Sequence, residues 1–189
     1  MNIFVISENN PDFKLQHLVQ QTVKEIAEKS NMGSSFYALE KNEIKNCGGC
    51  FGCWIKTPGE CIINDLGNDI AKSCLKSDIA VIITPINFGS YSSTIKLAVD
   101  RFIPLISPFF QKIDGEIHHK QRYGKMPVFI FIGMQKKENI TEKETFIKLA
   151  NRNAINLFQN QHKILIFDPS NTANEIINLT KSTIKELAG

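Results

Sequence analysis

Ile79-Ala-Val-Ile-Ile-Thr84 is a run of apolar, mostly β-branched residues with no polar alternation. A strand with one wet face alternates, whereas a continuous run marks a strand buried on both faces, as in a parallel sheet covered by helices. Val128 to Ile132 repeats the pattern, Ile3 to Ile6 and Ile164 to Phe167 are further short runs, and Phe36 to Leu39 is a weaker one. Between them apolar residues recur at helical spacing. Leu15, Leu18, Val19, Val23 and Ile26 share a face between Phe13 and Ser30. Leu66, Ile70 and Cys74 share another, as do Ile95, Ala98, Val99 and Phe102. Thr141-Glu-Lys-Glu144 and Thr172-Ala-Asn-Glu175 read as capping boxes opening the last two helices. Five βα units predict an α/β fold, a doubly wound five-stranded parallel sheet with helices on both faces.

Working outward, 189 residues with 42% hydrophobic and 22% charged side chains suit one globular domain, residues 1–189. Disorder and fibrous repeats are excluded for the whole chain. The longest apolar runs fall far short of a bilayer, and the first strand starts without a basic leader, so neither membrane nor signal peptide is expected and the location is read as cytoplasmic. A net charge of +3, with lysines scattered among acids, describes a solvated surface and no nucleic-acid partner. The segment 104–127 exceeds an ordinary connection and holds Phe109-Phe110, His118-His119 and Arg122-Tyr123. It reads either as a functional loop or as a surface excursion packed on the core.

In an open α/β sheet, ligands bind outside the carboxyl ends of the strands, near the switch in strand order. The third-strand loop there is Thr84-Pro-Ile-Asn-Phe-Gly-Ser-Tyr-Ser-Ser93. Pro85 holds Thr84 extended, Gly89 permits close backbone approach, and Phe88 and Tyr91 bring aromatic surface beside serine hydroxyls. Such a loop suits a planar heterocycle with polar edges, and equally a rigid turn capping the next helix. Gly133-Met134 after the fourth strand reads either as a close approach to a ligand or as a strand terminator.

Four of the five cysteines lie between Cys47 and Cys61. The spacing Cys47-x2-Cys50-x2-Cys53 with Cys61 eight positions on can surround a cubane iron–sulfur cluster. Zinc, which draws ligands from two separated knuckles, is less natural. Reactive thiols, or thiols used in packing, remain alternatives. Cys74 falls on an apolar helix face and reads as core.

The run Thr84-Pro85-Ile86-Asn87-Phe88-Gly89-Ser90, continuing to Lys96 and Asp100-Arg101, resembles the NAD(P)H-dependent FMN reductase family of flavodoxin-like proteins. The cysteine loop is similar to that of the related iron–sulfur flavoproteins. The resemblance implies a flavodoxin-like sheet binding FMN through Thr84, Pro85, Ile86, Asn87, Phe88, Gly89, Ser90, Gly133 and Met134. Ser7 and Lys14 would lie toward the phosphate, and Cys47, Cys50, Cys53 and Cys61 would hold a 4Fe–4S cluster. It also implies NAD(P)H or a ferredoxin-like protein as electron donor and a quinone or free flavin as acceptor. The length and aromatics of the 104–127 excursion lead us to expect a homodimer or higher homo-oligomer in which it is an arm covering a neighbour's flavin. Two positions depart from the family pattern. Asn87 stands where the family has tyrosine, and no arginine follows Ser7, while Glu8 and Asp12 bring negative charge toward a phosphate. These departures motivate an alternative: a non-catalytic thiol- or metal-based redox sensor on the same fold.

Overall fold

The computed structural model describes residues 1–10, 13–113, 115–158 and 161–188. Along the chain come β1 (Asn2–Glu8), α1 (Lys14–Lys29), β2 (Gly33–Leu39), α2 (Gly52–Ile55), α3 (Leu66–Leu75), β3 (Ile79–Asn87), β4 (Ser90–Tyr91) and α4 (Ser93–Asp100). A short 3-10 turn (Ile103–Leu105) leads to β5 (Ile106–Ile113), β6 (Glu116–Gln121), β7 (Val128–Met134), α5 (Ile140–Asn156), β8 (Lys163–Phe167) and α6 (Ala173–Ala188). The five long runs form the parallel sheet β2-β1-β3-β7-β8, a doubly wound order.

Strand alternation sorts the core into two layers. Ile3, Val5, Val81, Ile83, Ile130 and Ile132 pack with Val19, Val23 and Ile26 of α1 and Ile176 and Ile184 of α6. Phe4, Ile6, Ala80, Ile82, Phe129 and Phe131 face Ile70 and Cys74 of α3, Ile95 of α4 and Phe146 of α5. Because both faces are covered, β3 is buried from Ile79 to Ile86, and Cys74 is a fully buried core residue.

Thr172 and Glu175 form the reciprocal capping box at α6: the Thr172 amide donates to the Glu175 carboxylate at 2.7 Å and the Glu175 amide to Thr172 Oγ1 at 3.3 Å. At α5 the reading is corrected. Asn139 is the cap, accepting from the Glu142 amide at 3.2 Å, and Thr141 already lies inside the helix, its carbonyl accepting from the Thr145 hydroxyl at 2.8 Å. The 104–127 segment is largely an antiparallel hairpin of β5 and β6, with a register shift between Ile106 and Phe110 where Pro108 interrupts the ladder.

Gly133 lies inside β7, paired with Thr84 and Ile166. A Cβ there would stand 2.7 Å from Ile86 Cδ1 and 2.8 Å from Phe146 Cε1. Its small size serves packing between sheet and helix. Gly133→Ala is expected to lower stability by about 1–3 kcal/mol through overpacking, read as a lower urea midpoint at unchanged m-value.

Candidate functional site

At its carboxyl end β3 turns straight back into β4, with Ile86 opposite Tyr91 and Asn87 opposite Ser90. The two residues between, Phe88 and Gly89, have φ of 52° and 75°. This is the left-handed pair of a type I′ hairpin turn, which favours Asn-Gly and is costly for a bulky aromatic. Phe88 nevertheless occupies it, with its ring 94% exposed. Gly89 is pressed against α5, where a Cβ would come 2.6 Å from Thr145 Cβ. Thr84 is fully buried; its hydroxyl accepts from the Ser92 amide at 2.9 Å, and Ser92 caps α4. Tyr91 is core, its ring edge-on to Phe146 and its hydroxyl accepting from Asn153 at 2.9 Å. Of this loop, Asn87 and Phe88 are exposed, while Thr84, Pro85, Ile86 and Tyr91 are buried and hold the turn.

The strand ends of β3 and β7 frame a pocket of about 420 Å³, within the range of small-molecule sites. Ile86, Asn87 and Phe88 form one wall, and Gln135 to Asn139 with Glu142 form the other. Gln135 is buried and closes its loop on itself, donating to the Asn139 carbonyl at 2.9 Å. Lys136 and Lys137 thereby reach the rim, two residues that sequence reading passed over. Gly133 and Met134 lie behind this pocket, and Met134 is buried in the layer under α1 and α6.

The phosphate region expected after β1 is differently occupied. Ser7 is buried, its hydroxyl accepting from Gln20 at 2.5 Å, and the Gln16 amide donates to the Glu8 carbonyl. Lys14 is exposed at the first position of α1, and no described side chain caps that helix. Asp12, read as a competitor for these amides, lies outside the described residues. An exposed aromatic beside a pocket at the strand ends fits a planar ring; at the phosphate end, among the described residues, Lys14 and the first turn of α1 are on offer.

The cysteine loop leaves the carboxyl end of β2 and returns at α3. Cys47 and Cys50 are exposed, Cys61 is half-buried and Cys53 is buried on the single turn of α2. Burial pushes the Cys53 thiol up, and Cys61, Cys47 and Cys50 push the same way, so the four sulfurs act on one another. Their chemistry suits a soft metal. Their placement does not: among the described residues, no three His, Cys, Asp or Glu side chains converge to hold a metal ion.

One buried cation holds this loop. Arg101, 2% exposed just beyond α4, grips Asp65 with both terminal nitrogens at 2.9 Å. The same guanidinium donates to the Lys45 carbonyl at 3.0 Å and the Ile63 carbonyl at 3.1 Å. Asp65 also caps α3 through the Gly67 amide and accepts from the Lys45 amide at 2.9 Å. Burial opposes ionisation of Asp65, but Arg101 and the two amides outweigh it and hold the carboxyl below its ordinary value. On the outer side, Trp54 of α2 donates its indole N–H to the carbonyls of Ile103 and Ile106, at 3.2 and 3.1 Å. Its ring stacks on Phe51 and packs against His119 of β6, at centroid distances of 5.2 and 4.9 Å.

A depressed carboxyl stabilises the fold above its unfolded pKa, and this contribution is lost as pH falls through the folded value. Asp65→Asn, which strands a buried guanidinium, is expected to cost about 3 kcal/mol near neutrality. The gap between native and variant should narrow as pH falls below about 4, followed by urea unfolding at stepped pH.

No protein-family model matches the chain. Over 95 residues, 50% of this chain, it is 32% identical to an iron–sulfur flavoprotein of Methanocaldococcus jannaschii. That match spans 48% of the relative, about half its length. In structure the chain is similar to an azoreductase from Bacillus anthracis, with a TM-score of 0.69 at 12% identity over 99% of this chain and 98% of the other. It is also similar to an NAD(P)H:quinone oxidoreductase from Methanothermobacter marburgensis, with a TM-score of 0.68 at 9% identity over 100% and 98%. The sheet order and these likenesses agree: the chain has the flavodoxin-like fold, with a partial sequence relative among iron–sulfur flavoproteins.

Proposed function

We propose that this chain is an FMN-binding oxidoreductase whose flavin ring lies in the pocket between the β3–β4 turn and the β7–α5 loop. The observation that carries the reading is Phe88, an exposed aromatic held at φ 52° on the rim of a strand-end pocket. Backbone strain of this kind persists where surrounding structure enforces it, and it concentrates at ligand sites. Bound there, the flavin would supply hydride transfer from NAD(P)H and electron delivery to a small acceptor such as a quinone. The chain's own part is binding and orientation. Phe88 offers a stacking face, Asn87 an amide for a polar ring edge, and Ile86 an apolar floor. Lys14 and the amides opening α1 would receive the phosphate, the helix N-terminus favouring negative charge. Ser90 and the rim lysines Lys136 and Lys137 complete the polar border. The azoreductase and quinone oxidoreductase likenesses support a reductase on this fold, and the iron–sulfur flavoprotein relative supports a flavin.

Titration with FMN tests this reading. Flavin fluorescence should be quenched, and FMN at a hundredfold excess over its Kd should add about 2.7 kcal/mol of stability. A protein that does neither is not a flavoprotein, and the thiol-sensor alternative takes its place. Phe88→Asn separates turn strain from ligand stacking. It installs the Asn-Gly pair that a type I′ turn favours, so the free protein should gain roughly 0.5–1 kcal/mol. The same change removes the stacking face and should weaken FMN binding roughly threefold to tenfold. Tighter binding or unchanged binding by the variant would remove Phe88 from the site.

A further inference from the structure

The buried guanidinium of Arg101 touches both arms of the cysteine loop and no group of the strand-end pocket. On the entering arm it holds the Lys45 carbonyl, two residues before Cys47; on the returning arm it holds the Ile63 carbonyl, two residues after Cys61. The Asp65 carboxylate, itself fixed by the amides of Lys45 and Gly67, completes the fork. Every thiol of the loop lies between these fastened points. The guanidinium also adjoins Cys61. The turn of α2 also folds back onto the returning arm: the Gly59 amide donates to the Cys53 carbonyl at 3.0 Å, and a Cβ on Gly52, next to Cys53, would stand 2.8 Å from Cγ2 of Ile62, next to Cys61.

We propose that Arg101 is a positioning residue for the cysteine loop: by tying the two arms together it brings Cys53 and Cys61 into register as a dithiol pair. Lysine cannot replace it. A single ammonium keeps the charge opposite Asp65 but has no planar fork to span two carbonyls and a carboxylate together. The inference concerns the thiol loop beside the proposed flavin site, and it stands independently of whether FMN binds.

A monofunctional trivalent arsenical, phenylarsine oxide, tests the pairing, since it bridges two neighbouring thiols with release of one water. With the full chain under reducing, metal-free conditions, two thiols should be lost per arsenic bound, and peptide mapping should place them at Cys53 and Cys61. Arg101→Lys should weaken uptake roughly tenfold and spread it over other cysteine pairs, matching the loss of charge-assisted hydrogen bonds. FMN titration of the same variant should stay within about twofold of the native protein, a readout that general unfolding would not spare. Should Arg101→Lys fail to fold, Asp65→Asn, which leaves the guanidinium on the two carbonyls but removes its carboxylate partner, should show a smaller loss in the same direction. Native uptake at a pair other than Cys53 and Cys61, or no native uptake, overturns the proposal. So does a folded variant that binds the arsenical at the same pair with native affinity. Failure of the native protein to bind FMN would instead refute the flavin reading and leave this one standing.

Discussion

A guanidinium cannot be neutralised at accessible pH, so burying one costs several kcal/mol unless its donors are met. Arg101 is buried, and its two terminal nitrogens, though not Nε, are met by one carboxylate and two backbone carbonyls that lie 36 to 56 residues away in the chain. The consequence runs in one direction. Since the cation must have these partners, the chain between Lys45 and Asp65 has to close back on itself. That stretch has only one helical turn of its own, α2, and few core contacts to define it. The loop's shape is thus imposed from its ends, by electrostatics, and not from within by packing. Trp54 adds the outer fastening, donating its indole N–H to two carbonyls at the root of the hairpin.

Helix α4 connects this fastening to the sheet. Its first turn is capped by Ser92, whose amide is held by the buried Thr84 hydroxyl at the end of β3. Its last turn leads into Arg101. Eight residues of helix therefore stand between the turn that presents Phe88 and the residue that closes the cysteine loop. The Lys96–Asp100 pair on the exposed side contributes little to this, being a surface i,i+4 contact. Rigidity comes instead from Ile95 and Ala98, both fully buried against the sheet. In this architecture the two candidate chemical regions share one strut.

What the sequence disclosed, and what it hid, follows from the range of the forces involved. Runs such as Ile79–Thr84 and Val128–Ile132 were legible because burial on both faces removes polar alternation, a purely local signature. The α6 capping box was legible for the same reason. At α5 a local rule misled: Thr141 and Glu144 match the box pattern, but Asn139, tied to Gln135 by the loop's own hydrogen bonds, is the residue that caps. The hairpin was missed because Phe109, Phe110 and Ile117 are exposed, so its alternation follows no core of this chain. Its Asp114-Gly115 pair was the available turn signal. The Thr-Pro-x-x-x-Gly loop was recognisable as a site, yet which of its residues face outward depended on Thr145 and Phe146 from a helix fifty residues on. Arg101 appeared as half of an Asp-Arg pair, and nothing local could name its partners.

Positive φ offers a last way to separate architecture from function. Five non-glycine residues adopt it: Asn31, Asn42, Phe51, Phe88 and Phe158, among the described residues. The asparagines tolerate the left-handed region through their short polar side chains. Phe158 lies just beyond α5 and is packed against the core, so partial burial of its ring offsets the strain. Phe51 and Phe88 have no such compensation of comparable size, being 53% and 94% exposed, although Phe51 gains a stack on Trp54. One precedes the thiol-bearing turn of α2 and the other tips the β3–β4 turn. A fold selected for stability alone would place asparagine or glycine at both positions. That the chain instead holds an exposed phenylalanine in a strained conformation at each of its two candidate chemical regions argues that something outside the chain's own core meets those rings.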